Sequence, residues 1–166
     1  MTNGRRAGFG AVLRERAYWA GFLIGVAVMA AIDEIVFHQL LAWHHFFDRA
    51  TPAIGLISDG ILHAAELFAL VGGFFLLFDA RRREGFSAAS AWAGVVVGLG
   101  LFQVWDGLIH HKVLRVHQVR YDVELLPYDL AWIGSGLVLL AVGVIVTIAA
   151  ARRTGDERAT AGERHA

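Results

Sequence analysis

Residues 85–105, GFSAASAWAGVVVGLGLFQVW, and 130–151, LAWIGSGLVLLAVGVIVTIAAA, contain no ionisable side chain. A helix of about 20 residues crosses the hydrocarbon core of a bilayer, so each run is long enough to span one. Two further apolar runs precede them in the chain. One covers 17–37 and carries Asp33 and Glu34 near its end; the other covers 60–78 and carries His63 and Glu66 near its start. These runs predict an all-α membrane protein, with four transmembrane helices in a bundle built from two repeated helical hairpins. The spans are expected near 17–37, 60–78, 87–109 and 129–151, inside a membrane domain over 17–151. Tails over 1–16 and 152–166 lie outside it.

Composition agrees. Of 166 residues, 57% are hydrophobic and only 18% charged, with a mean hydropathy of +0.54 and no net charge. So few charges cannot cover a water-soluble globule, and they exclude a nucleic-acid binder as well as a disordered chain. No cysteine is present, which excludes disulfides, thiolate metal sites and iron–sulfur clusters. The lipid bilayer is therefore the first expected partner.

The basic residues set an expected orientation. Arg5, Arg6, Arg14 and Arg16 precede the first span, Arg81, Arg82 and Arg83 follow the second, and Arg152, Arg153, Arg158 and Arg164 follow the fourth. These make 11 of the 15 basic residues. By the positive-inside rule both termini are cytoplasmic, and the loops around 38–58 and 110–127 face outward. A signal peptide cleaved after Ala30 is the disfavoured rival, because that segment has a counterpart later in the chain.

That counterpart belongs to an internal repeat. Asp33-x4-His38-x5-His44 is matched by Asp106-x4-His111-x5-His117 at an offset of 73; Asp59 is matched by Asp129 and Arg81-Arg82 by Arg152-Arg153, at offsets of 70 and 71. Seven of the eight histidines, with Asp33, Glu34, Asp59, Glu66, Asp106 and Asp129, fall in one layer at the expected outer end of the bundle. Ionisable groups within a span are costly and mark functional sites.

Imidazole with carboxylate and no thiolate suits a transition metal such as copper, iron or zinc. His38, His44, His63, His111 and His117 are the candidate ligands, with Asp33, Asp106 and Glu66 as further ligands. Their number would satisfy two ions, in the manner of di-metal sites inside helical bundles. Glu66 and Asp106 are also the candidate catalytic bases. Asp59 and Asp129 sit where the N-caps of spans two and four are expected, and with His45 they read as capping or ligand-supporting groups. One spacing resists a regular helix. Five residues at 100° each leave His38 and His111 about 140° from the aspartate ahead of them, so a shared face needs a break or bulge.

The motifs Asp33-x4-His38-Gln39-x4-His44-His45, Asp59-Gly60-x2-His63, Asp106-Gly107-Leu108-Ile109-x-His111-x5-His117 and Tyr128-Asp129-Leu130 resemble the bacterial membrane family catalogued as domain of unknown function 2243. The resemblance covers nearly all of the chain between the tails. It implies a four-span protein of the bacterial inner membrane without an assigned activity. Three functions stay open on the residues: a redox or hydrolytic metal centre, enzymatic or not; metal storage or delivery to a respiratory membrane complex, as monomer or homo-oligomer; and haem binding. Carboxylates beside nearly every histidine argue against haem. The inner halves of the spans offer only Tyr18, Ser90 and Thr147 as polar groups, so a channel through one protomer is disfavoured.

Overall fold

A computed structural model describes residues 9–83 and 86–163, with side chains described as far as 153; His165 lies outside the described residues. Six segments follow in order: α1 (Arg16–Asp33), π1 (Glu34–Leu40), α2 (Pro52–Arg81), α3 (Ala88–Trp105), π2 (Asp106–Leu114) and α4 (Leu125–Glu163). Joined to their π segments, these make four helices long and apolar enough to cross a membrane: Arg16–Leu40, Pro52–Arg81, Ala88–Leu114 and Leu125–Arg153. The chain is a multi-pass, all-helical membrane protein.

Local chemistry marks the starts. Pro52 occupies the first turn of α2, where its missing N–H costs nothing, and the Thr51 side chain accepts from Ile54 N–H. Ser87 caps α3 by accepting from Ser90 N–H at 3.1 Å. α2 thus begins well before Gly60, where its apolar run begins, and Asp59 lies inside it; Asp129 likewise lies inside α4. Neither aspartate is the N-cap that its sequence position suggests.

Glycine decides which helices approach. Gly21 and Gly25 of α1 lie against the carbonyls of Ala91 and Val95, while Gly94 and Gly98 of α3 lie against those of Tyr18 and Phe22. A β-carbon at any of the four would meet backbone. Two Gly-x3-Gly faces therefore press together and make α1–α3 the central pair, as small residues do in lipid, where packing rather than water drives association. α2 packs on α1 through Gly73 against Ile24, and α4 packs on α3 through Gly143 against Val97. The outer faces of α2 and α4 carry exposed Ile61, Phe68, Phe75, Leu130, Val138 and Ile145, which suits contact with acyl chains.

At one end of the bundle α1 and α3 do not stop; both change pitch. Glu34–Leu40 and Asp106–Leu114 are π-helical, each beginning at or just after the aspartate of an Asp-x4-His motif. The chain then turns sharply at Ala42 (φ 47°) and Arg115 (φ 52°), which occupy equivalent positions in the two halves. Trp43 N–H donates to Phe37 O and Val116 N–H to His110 O, again an equivalent pair, at 2.9 and 3.0 Å.

Candidate metal centre

In a π-helix hydrogen bonds run from i to i+5 and each turn takes up more residues, so residues five apart come much closer to a shared face than in an α-helix. The change of pitch therefore does what a regular helix could not. It turns His38 towards Asp33 (Nε2–Oδ2 3.6 Å) and His111 towards Asp106 (Nε2–Oδ2 3.0 Å). The loops after the π segments return His44 and His117 to the same place. His44 and His117 stack with ring centroids 4.7 Å apart and planes 6° from parallel. His38 lies 4.5 Å from His44, and His111 lies 4.6 Å from His117. Asp33, His38 and His44 offer ligand atoms all within 4.8 Å of one another, and so do Asp106, His111 and His117. All six residues are buried.

Hydrogen bonds fix the tautomers. His44 Nδ1–H donates to Val119 O at 2.9 Å, and His117 Nδ1–H donates to Phe46 O at 2.8 Å. A carbonyl can only accept, so each ring carries its proton on Nδ1 and its lone pair on Nε2. The two bonds are reciprocal between halves, because Phe46 and Val119 are themselves equivalent positions of the repeat. His38 Nδ1 faces Glu34 Oε2 at 2.7 Å and Asp59 Oδ1 at 3.2 Å, which likewise leaves Nε2 for the interior. Nε2 of His38, His44, His111 and His117 is buried and makes no well-formed hydrogen bond, although those of His38, His111 and His117 face triad carboxylates at 3.6, 3.0 and 3.5 Å. Buried polar atoms normally make well-formed hydrogen bonds, so four nitrogens without one in a single cluster need an explanation. Burial, reinforced by His117 and His38, lowers His44 far below the ordinary imidazole value and keeps the ring neutral. Neutral imidazole is the form that binds a metal.

Around the rings stand five buried carboxylates, Asp33, Glu34, Asp59, Glu66 and Asp106. No Lys or Arg is buried with them among the described side chains. Asp106 is the most engaged of the five. Its Oδ1 accepts from His110 Nδ1 at 2.9 Å and its Oδ2 from Trp132 Nε1–H at 3.1 Å, while His117 Nε2 lies 3.5 Å away. Glu66 keeps Oε1 at 2.6 Å from His63 Nδ1, and its Oε2 is buried without a partner.

Not every residue picked out by spacing joins the cluster. His63 falls in neither triad, and its side chain is 58% exposed. Asp129 pairs with Lys112 Nζ at 2.5 Å and falls in neither triad. His45 is half-buried and holds Asp59 Oδ2 at 2.6 Å. Asp59 itself is a hub, taking Phe46 N–H at 2.7 Å as well. Glu34 pairs with His38 at i,i+4, as its spacing allows. Two contributors escape sequence reasoning, Trp132 and Gln103, which read as parts of apolar runs. Gln103 is buried and donates to Trp132 O and Ser135 Oγ at 3.0 and 2.8 Å.

Fold and site together define a four-span helical membrane protein with a buried histidine–carboxylate cluster at one end of its bundle. The family model described as "Predicted membrane protein (DUF2243)" matches residues 20–150, and the chain belongs to that family. No curated protein and no solved structure matches it.

Proposed function

We propose that the chain is an integral membrane metal-binding protein whose two triads, Asp33/His38/His44 and Asp106/His111/His117, hold a pair of transition metal ions. One observation carries this reading: four buried imidazoles converge with Nε2 atoms that make no hydrogen bond and, in three of them, face triad carboxylates, and carbonyls lock two of the rings in the metal-ready tautomer. The charges support it. Five carboxylates without a buried Lys or Arg would repel one another, and a pair of divalent ions offsets most of that negative charge. Zinc, iron and copper(II) all fit imidazole and carboxylate donors.

The layer faces outward, on the distribution of basic residues given above. Cysteines introduced at Asp48 and Asp122 label with an impermeant reagent in intact cells, whereas Arg82→Cys does not; the reverse pattern inverts the topology.

A bound ion would supply Lewis acidity or a redox couple at this end of the bundle. Of the two candidate bases, Glu66 is the better placed, because Asp106 already serves four neighbours and Glu66 Oε2 is free. Among the described side chains, the interior of the inner half offers only Tyr18, Ser90 and Thr147 as polar groups. Ser90 Oγ donates to Ser87 Oγ at 3.0 Å and Thr147 Oγ1 to Gly143 O at 2.8 Å, so their hydroxyls are spent locally. The centre therefore acts on, stores or hands over what arrives at the outer face. Radiolabelled zinc or copper entering proteoliposomes in a saturable, protein-dependent way would replace this reading with transport.

Elemental analysis of the purified chain tests the binding itself. His38→Ala and His111→Ala each lower metal content, and His165→Ala leaves it unchanged. Unaltered stoichiometry in both would remove the basis for a metal centre.

A further inference from the structure

Glu34, His38 and Asp59 form a third group of ligand atoms within 4.8 Å of one another. It lies across the His38 ring from the first triad. Nε2 faces Asp33, whereas Nδ1 faces Glu34 Oε2 at 2.7 Å and Asp59 Oδ1 at 3.2 Å. A neutral ring has one proton at Nδ1, and two carboxylate oxygens approach it. The hydrogen bond goes to Asp59; Glu34 Oε2, although nearer, makes none and is buried without a partner. Both acids are 1% exposed.

The other contacts hold these carboxylates in place. Glu34 Oε1 accepts from Gln39 Nε2 at 2.8 Å, and Asp59 accepts from His45 Nδ1 and from Phe46 N–H. Each acid therefore keeps one oxygen turned to the same imidazole nitrogen. Two like charges held this close are costly without a cation between them.

We infer that Glu34, Asp59 and His38 Nδ1 hold an additional divalent cation, with the His38 imidazole bridging it to the ion of the first triad. The bridge rests on the metal reading above, which puts an ion at Nε2. Binding replaces the Nδ1 proton, which leaves to solvent, so ring and cation exchange one proton and no electrons. Two carboxylates and one imidazole suit zinc, manganese or iron(II). The second half cannot do the same. Gly107 stands at the position equivalent to Glu34, Asp129 is drawn to Lys112, and His111 Nδ1 has no partner. The additional position is one-sided.

The test counts zinc in the purified full chain, reconstituted in detergent. Glu34→Gln keeps the shape and the Gln39 contact but removes the charge, and it loses one zinc per chain while retaining the rest. Asp59→Asn loses the same ion; because Asp59 also anchors the loop at Phe46, its thermal unfolding is measured alongside and Glu34→Gln decides. If Glu34→Gln binds as much zinc as the native chain while His117→Ala binds less, the additional position is overturned and the pair of triads stands. If His117→Ala is also unchanged, both fall.

Discussion

Asp33, His38 and His44 of the first half and Asp106, His111 and His117 of the second are the same residue types at the same spacing, yet they are differently surrounded. The backbone treats them alike: helix passes to π-helix, a left-handed residue follows, and each loop carbonyl takes the other half's histidine. The surroundings diverge. Glu34, Gln39 and His45 of the first half correspond to Gly107, Lys112 and Gln118 of the second; between α2 and α4, Glu66 corresponds to Gly136. Additional acids thus collect around the first triad. The second triad instead hangs on Asp106, which His110 and Trp132 hold in place. Shared geometry with unshared surroundings separates what the ligands need from what each half adds.

Where the halves match, paired substitutions should match in effect. His44→Ala and His117→Ala should each remove about half or more of the bound metal, since each deletes one ring of the central stack. A large loss in one and none in the other would break the correspondence. Where the halves differ, effects should be unequal. Asp106→Asn should weaken metal binding more than Asp33→Asn, because Asp106 orients His110, His111 and His117 together. Trp132→Phe removes the donor to Asp106 and should lower metal affinity about 10–100-fold, in the usual range for a group supporting a ligand. Leu62, its counterpart in α2, has no such donor, and Leu62→Ala should leave affinity unchanged.

Packing predicts smaller, symmetric effects. Gly21→Ala and Gly94→Ala each push a β-carbon into the opposing backbone and should cost about 1–3 kcal/mol in detergent unfolding. Gly72→Ala and Gly134→Ala meet nothing within 4 Å and should be neutral or stabilising by up to about 1 kcal/mol. Equal losses at all four would show that close approach of α1 and α3 is not what those glycines serve. The smallest effect is expected at Lys112. Its pair with Asp129 is partly exposed, and such a pair contributes about 0–1 kcal/mol. Lys112→Gln installs the residue found at the equivalent position 39 and should leave metal content unchanged.

Much of the architecture is legible in the sequence because lipid imposes a simple rule: long apolar runs must be helices. The polar layer is legible too, since ionisable groups in a span stand out against their neighbours. Its detail is not. No residue type favours i→i+5 bonding strongly enough to announce a π-helix; the only trace is the misfit of five-residue spacing with a regular helical face. His63 reads as a ligand because its spacing puts it on one face with Glu66, but its own side chain is mostly exposed and reaches only Glu66. Asp59 reads as a cap because the apolar run begins after it, whereas Pro52 and Thr51 start the helix a full two turns earlier. Trp132 and Gln103 carry no formal charge, so nothing in the pattern marks them until the helices are packed.

X-ray absorption at the metal edge of the purified chain reads the ligands of the proposed centre. Imidazole nitrogens and carboxylate oxygens are expected at about 2.0–2.2 Å from the ion. The imidazole scattering should be lost in a His44→Ala/His117→Ala double variant that still unfolds cooperatively. A shell of oxygen alone, or an unchanged spectrum in the double variant, would contradict the proposed centre.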